Sequence, residues 1–444
     1  MLSIEEAKNR AVDLITRARR AGADASDVVY SGTAATEISL RLGALEDVER
    51  SENEAISVRV YVGKRSASAS TADFSPAALT ALAARVVAMA GQAPEDEYAG
   101  LAPENMLFLE ALPKLELDDG IDVAPLALKE RALMTEDAAR SVGGITNSQG
   151  ASAGSGRSIV ALATSHGFVG GYSGSSHSLS AAMIAGEGSA MQRDYAYHSS
   201  HYLKDLDSAV AVGRLAGERA VMRINPVRLK SGPMPVVFDP RVGDSLLGHL
   251  AGAITGGAIA RKTSFLLGKL GEAVFAPGIT IIDDPLRLRG LRSRPFDGEG
   301  LQTNITTLIK DGVLTGWLMD AASARQLGMQ PTGHASRGGG ATTSNMHMAA
   351  GDVSPAALMA DIKRGFYVTD LIGMGVNGLT GDYSRGASGF LIEDGELRGA
   401  VAEVTIAGNL IDMFAALIPA NDLEFRHATN VPTLRINGMT IAGD

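Results

Sequence analysis

Cysteine is absent from the whole 444-residue chain. That removes disulfides, thiolate metal ligands and cysteine nucleophiles together. Basic clusters are missing as well. Forty Lys and Arg stand against fifty Asp and Glu, a net charge of −10, with no run suited to tracking phosphates, so nucleic acid is not an expected partner. The one membrane-like stretch, residues 245–260, is uncharged for sixteen residues but contains four glycines and His249. It is shorter than the roughly 20 apolar residues that a bilayer span needs, which predicts a buried helix and no membrane contact. The N-terminal Met1-Leu2-Ser3-Ile4-Glu5-Glu6 is acidic where a signal peptide requires a basic segment and an apolar core. A cytoplasmic location is therefore the default expectation.

What is present suits two or three domains of an α+β protein, at about 150 residues per domain: mixed α/β N-terminal domains and a largely antiparallel β C-terminal domain with a buried helix. Residues 1–113 read as an α/β domain. Ser3 and Glu6 have capping-box spacing ahead of a helix to Arg20, apolar at Ile4, Ala7, Ala11, Leu14, Ile15 and Ala18. Residues 37–42 and 56–62 alternate as half-buried strands, Ser75-Pro76 opens a second helix, and Pro94, Pro103 and Pro113 mark a linker. Residues 114–228 read as α+β, with helices over 126–142 and 207–224, strands at 159–163 and 181–185, and a flexible Gly/Ser-rich connector over 143–158. Helices and strands do not alternate regularly, which argues against a doubly wound parallel sheet. Residues 229–444 open with a strand at 236–238 and an apolar helix after Pro240. Asp311-Gly312 and Asp394-Gly395 each lie between apolar runs, the chemistry of type I′ hairpins.

Several motif matches fail on context. Gly373-Met374-Gly375-Val376-Asn377-Gly378 fits G-x-G-x-x-G, but the following Leu379-Thr380-Gly381-Asp382 cannot open a pyrophosphate-binding helix. Gly150-Ala151-Ser152-Ala153-Gly154 fits the nucleophile elbow without a strand before it and a helix after it. His198 and His201 lack a clear third ligand, and read as exposed hydrogen-bonding histidines. His334, His347 and His427 stand isolated in polar loops.

The apolar helix carries the most informative departure. It reads Ser245-Leu246-Leu247-Gly248-His249-Leu250-Ala251-Gly252-Ala253-Ile254. Further along come Ile279-Thr280-Ile281-Ile282-Asp283-Asp284, Pro331-Thr332-Gly333, the string Gly381-Asp382-Tyr383-Ser384-Arg385-Gly386-Ala387, and Val404-Thr405-Ile406-Ala407-Gly408-Asn409-Leu410. Together these resemble the TldD/PmbA metallopeptidase family over essentially the whole chain, and the Gly381–Ala387 string resembles its PmbA (TldE) branch in particular. In that family the active subunit carries His-Glu-x-x-x-His at a position like 249–254. Here His249 matches the first ligand, but Leu250 replaces the general base and Ile254 the second ligand, and the third ligand, a cysteine, is missing from the chain. Zinc hydrolysis needs about three protein ligands, an open water position and a carboxylate. His249 itself reads as a histidine held in an apolar core by one hydrogen bond. Residues five apart on a regular helix are also turned by about 140° from one another, so the family's ligand pair must use a distorted helix or its end.

The resemblance implies a partner subunit with no catalytic residue, no metal ligand and no cofactor of its own. Its expected partners are a TldD-like zinc-bearing paralogue and an unfolded or flexible peptide, with a homodimer as the alternative state of the isolated chain. Gly381, Asp382, Tyr383, Ser384 and Arg385 are the candidate loop of the peptide chamber, and the Gly/Ser-rich passage around 150–156 is a second candidate surface. Two other readings stand beside this one: an autonomous hydrolase with a different site, and a binding protein that modulates DNA gyrase.

Overall fold

The computed structural model describes residues 1–444, the side chain of Ser189 excepted. The capping box forms as expected: the Ser3 side chain accepts from the Glu6 N–H, and Glu6 accepts from the Ser3 N–H at 2.9 Å. It opens α1 (Ile4–Arg20), whose Ala7, Ala11, Leu14 and Ala18 are buried. Strands β1 (Ala25–Arg41), β2 (Ala44–Val62) and β3 (Arg65–Thr71) follow, then α2 (Pro76–Gln92). After a proline-marked passage come α3 (Pro125–Arg140), β4 (Ile145–Thr164), β5 (Val169–Ala185), β6 (Gln192–Ser200) and α4 (Ala209–Met222).

These six strands make one sheet in the order β3-β2-β1-β4-β5-β6, antiparallel at every step. Strands from both sides of residue 113 therefore share a sheet, joined where β1 pairs with β4. The helices cover one face of it. Val28 and Ala163 belong to the core under α1 and α2, and Ile38 and Ala153 to the core under α3 and α4. Positions 28 and 38, like 153 and 163, are an even number of residues apart and so point to the same face.

The connector expected over 143–158 is instead most of the twenty-residue β4. Glycine and serine suggest a loop when read locally, but pairing with β1 and β5 on both sides satisfies this backbone. Small residues also permit the tight layer above it. A Cβ on Gly213 of α4 would lie 2.1 Å from the Thr135 carbonyl of α3.

The rest of the chain contains β7 (Gly232–Phe238), α5 (Pro240–Ala253), α6 (Gly256–Ala260), β8 (Ile281–Asp283), β9 (Thr306–Lys310), β10 (Val313–Leu314), α7 (Ala321–Leu327), β11 (Met346–Met348) and α8 (Pro355–Met359). It continues through β12 (Arg364–Ile372), β13 (Asp382–Glu393), β14 (Glu396–Asn409), α9 (Leu410–Ala415), β15 (Leu417–Pro419), β16 (Thr429–Asn430) and β17 (Leu434–Ala442). Strands β7, β12, β13, β14 and β17 close into a five-stranded barrel in which only the β7–β12 pair is parallel. A second sheet runs β10-β9-β8-β11-β16. Both Asp-Gly hairpins form, with Asp311 and Gly312 at φ 49° and 78°, and Asp394 and Gly395 at φ 49° and 80°; positive φ at both turn residues is what a type I′ turn requires. Helix α5 is the buried helix, packing Leu246, Leu247 and Leu250 against the barrel residues Phe238, Phe366 and Val368. Among the described residues no helix is long and apolar enough to cross a membrane.

Candidate functional site

Two anchors fix the N-terminal end of α5. Asp239 caps the helix by accepting from the Arg241 N–H at 3.0 Å, and receives the Tyr367 hydroxyl at 3.0 Å. Arg241 in the first turn then reaches the central sheet, where its guanidinium donates to both oxygens of Asp194 at 2.9 and 3.2 Å. Arg223 donates to the same carboxylate at 2.5 Å. Asp194 is buried, and its two arginines hold its carboxyl below the usual carboxylate range against the opposing effect of burial.

The other end of α5 carries the candidate site. The regular helix stops at Ala253, and Ile254 is its C-cap at φ −96°, ψ 8°. Position 254 thus falls at a helix end, the distortion that a ligand pair five residues apart requires. Leu250 and Ile254 nevertheless point into the core and are both 0% exposed. His249 lies on the opposite side, half-buried in a cavity of about 270 Å³ lined by Gly248, Gly252, Phe265, Val376, Arg385 and Leu410 among others. Three neighbouring positions of the helix therefore face two environments.

The structure brings the two expected site segments together. Tyr383 and Arg385 alternate on β13 and face α5, with the Tyr383 ring edge-on to His249 at 6.0 Å and 79°. Gly381, at φ 82°, makes the turn into this strand; a Cβ there would lie 3.0 Å from Asn409 Oδ1. Asp382 and Ser384 point away into solvent. Asp382 accepts from Thr380 Oγ1 at 2.6 Å and from Asn409 Nδ2 at 3.2 Å.

His249 differs from its expected environment. It lines a cavity instead of an apolar core, and its Nε2 is buried without a hydrogen-bond partner, as are Tyr383 Oη and Arg385 Nε. Burial and the Arg385 charge hold the His249 imidazole below its ordinary pKa. Burial pushes the Tyr383 phenol up to about 12. A zinc ion does not fit this constellation: one imidazole beside a guanidinium is repulsive to a dication, and the cavity lining contains no carboxylate. Among the described residues there is no group of three His, Asp or Glu arranged to hold a metal.

The remaining histidines separate. His198 Nδ1 accepts from the Asp207 N–H at 3.0 Å, whereas His201 contacts the carbonyls of Ser175 and Gly290 at 2.5 and 3.2 Å. Both are half-buried and do not converge: His198 lies on β6, His201 follows its end, and the two rings bond to different segments. One arrangement had no sequence signature. Ser155 Oγ lies 3.1 Å from His177 Nδ1, and His177 Nε2 lies 3.1 Å from Asp119 Oδ2. The composition is that of a hydrolase triad. Its setting is structural: Ser155 lies mid-strand in β4, paired with Thr36 on one side and His177 on the other, so nearby N–H groups belong to the sheet and none is free for an oxyanion. Asp119 also accepts from the Leu203 and Ile121 N–H groups, which fastens the linker to the sheet.

Comparison with known proteins places this geometry in context. Residues 26–90, 117–224 and 231–443 match, in turn, domain 1, the central domain and the C-terminal domain of the PmbA/TldA metallopeptidases. The chain is 38% identical to the metalloprotease PmbA of Escherichia coli O157:H7, covering 99% of this chain and 96% of that protein. It is 36% identical to a PmbA homologue of Haemophilus influenzae over the same shares of each. A TldD homologue from H. influenzae is 32% identical but covers only 46% of this chain. A solved structure from Bacteroides thetaiotaomicron, described as a candidate modulator of DNA gyrase, superposes with a TM-score of 0.93 at 29% identity over the whole of both chains. TldE from Thermococcus kodakarensis shares the fold, with a TM-score of 0.85 at 24% identity over 98% of this chain and all of the other.

Proposed function

Because the chain belongs to the PmbA/TldD metallopeptidase family, on its PmbA side, we propose that it is the zinc-free subunit of a two-subunit peptidase that cuts unfolded or flexible peptides. The observation that carries this reading is the fate of the motif. His249 remains, while Leu250 and Ile254 are sealed in the core, so the helix retains its place without the groups that would activate water. The rest of its exposed face is bare: an added Cβ on Gly248 or Gly252 would meet no atom within 4 Å. Exposed apolar side chains stand in the neighbouring segments, with Met374 87%, Ile372 64% and Leu379 58% exposed. Apolar patches of this kind mark surfaces that another chain covers. A zinc-bearing paralogue of the same fold fits that place through pseudo-symmetric pairing. The unpaired edges of β3 and β6 offer routes for holding an extended peptide by strand addition. A cytoplasmic location accompanies this reading.

The direct test mixes the purified chain with the zinc-bearing paralogue of its own genome and follows cleavage of an unfolded peptide. A stable heterodimer should form, activity should need both chains, and replacing the motif glutamate of the paralogue should abolish it. After dialysis this chain alone should hold no stoichiometric zinc by elemental analysis. Full activity from either chain alone, or one zinc per chain lost in His249→Ala, would overturn the reading. The description of the B. thetaiotaomicron structure favours a second reading, modulation of DNA gyrase, which a stable gyrase complex formed without the paralogue would support.

A further inference from the structure

The cavity beside His249 is lined by two polar side chains with unpartnered buried nitrogens, His249 and Arg385, and Tyr383 stands against His249 behind them. His249 Nε2, Tyr383 Oη and Arg385 Nε are all buried and unpartnered. They come from two elements, α5 and β13, and meet at one place. Buried polar groups are nearly always satisfied, and a charged one left without a partner is costly. Three together point to a partner that arrives from outside.

Their chemistry specifies that partner. Arg385 is a permanent cation with donors only. The Tyr383 phenol, with its pKa pushed up to about 12 by burial, keeps its proton at neutral pH and supports Arg385 from behind the lining. His249, held neutral by burial and by Arg385, donates from Nε2 in the tautomer that places its proton there. One positive charge and one neutral imidazole donor complement a monoanion that only accepts, which describes a carboxylate. A phosphate dianion would call for more positive charge than one guanidinium. The other walls are mainly apolar, formed by Ala253, Phe265, Met374, Val376 and Leu410 with Thr263 beside them, and the volume of about 270 Å³ suits one residue's side chain.

We infer that this pocket binds the C-terminal carboxylate of a peptide, with the anion against Arg385 and His249 and an apolar last side chain against Phe265 and Val376. The position that a zinc ligand occupies in the catalytic branch would here serve as an anchor for a chain end. The inference rests on the partner-subunit reading only for the ligand being a peptide; the binding itself belongs to this chain alone and is measured without the paralogue.

Isothermal titration of the full chain with N-acetyl-leucine, N-acetyl-leucinamide and N-acetyl-aspartic acid α-amide separates the possibilities. The free acid should bind in the millimolar range or tighter, and the amide at least about tenfold more weakly, since it lacks the charge that Arg385 pairs with. The aspartyl amide, a side-chain carboxylate without an apolar partner group, should also bind more weakly than N-acetyl-leucine. Arg385→Gln should lose at least about tenfold for the acid with its thermal midpoint unchanged. If that variant fails to fold, Tyr383→Phe removes the hydroxyl that supports Arg385 within the same volume and should weaken the acid by several-fold. In the wild type, the His249 imidazole resonance should titrate at higher pH once N-acetyl-leucine is bound, a response that a purely structural histidine would not give. Equal binding of acid and amide, no binding by the folded wild type up to about 10 mM, or a folded Arg385→Gln that binds like the wild type would overturn the inference. An aspartyl amide that binds as tightly as N-acetyl-leucine would overturn the chain-end assignment. A pair that cleaves peptides while this chain binds no carboxylate would sink this inference alone; carboxylate binding without a productive pair would sink only the partner-subunit reading.

Discussion

The two ends of α5 handle similar chemistry in opposite ways. At the N-terminal end, Arg223 and Arg241 surround Asp194, and Tyr367 donates to Asp239. At the C-terminal end, Arg385, Tyr383 and His249 gather with no carboxylate among them. The first cluster is closed around its anion: Arg223 and Arg241 share the Asp194 carboxylate, leaving only Arg241 Nε over, and the network ties the central sheet to the barrel domain. The second is open. Arginine or tyrosine content does not distinguish a structural junction from a binding pocket; the accounting of donors against acceptors does.

The largest effect expected comes from trying to turn the open end into a zinc site. Leu250→Glu with Ile254→His places a carboxylate and an imidazole into fully packed core positions, losing aliphatic packing and burying unpaired polar groups. The cost should exceed about 5 kcal/mol, seen as loss of the cooperative urea transition, with no zinc retained. A folded, zinc-binding, active double variant would erase the distinction between the two faces of the helix.

Next comes the closed end. Asp194→Ala leaves two arginines facing each other without their carboxylate, and should cost about 3–5 kcal/mol by urea unfolding. A change below about 1 kcal/mol would mean that the junction is solvated and the comparison fails.

A third cluster sharpens the rule from the acidic side. Glu299 accepts from the Ala321 N–H at 2.9 Å, and its carboxyl is pushed up to about 7, first by burial and then by Asp297. A carboxyl whose folded pKa lies above its unfolded value contributes stability that is full below about 4.5 and is lost as the pH rises through about 7. Glu299→Gln keeps the acceptor and removes the charge. It should leave stability at pH 4.5 nearly unchanged and raise it by about 2 kcal/mol at pH 8, as measured by thermal unfolding at both pH values. Identical pH profiles for the two proteins would refute this.

The smallest effect should come from the open end itself. Arg385→Gln removes a cation that no carboxylate pairs with, so stability should change by less than about 1 kcal/mol in either direction. A loss comparable to that of Asp194→Ala would show that Arg385 is structural.

Local chemistry was legible wherever one stretch of chain decides its own conformation. The Ser3–Glu6 capping box, the Asp311-Gly312 and Asp394-Gly395 turns and the buried helix after Pro240 all form where their residue patterns predict them. Residues 143–158 were illegible for the converse reason. Their glycines and serines carry no strand pattern, and the strand exists because β1 and β5 lie on either side of it. The Ser155–His177–Asp119 chain was hidden likewise, since its three members are distant in sequence and meet only through strand pairing and a linker crossing.

The candidate site divides along the same line. The sequence by itself determined that no thiolate can hold a metal, because cysteine is absent, and that the apolar Leu250 and Ile254 follow His249; these are facts of composition and order that no fold can reverse. It also singled out His249 and the segment from Gly381 to Arg385 as separate features. Only the tertiary structure decided that they are one feature, because β13 runs beside α5 and turns Tyr383 and Arg385 toward His249 while Leu250 and Ile254 turn into the core. Whether a polar group is satisfied depends on what lies within about 3 Å of it in space, and for residues more than a hundred positions apart that distance is set by the packing of the barrel around its helix.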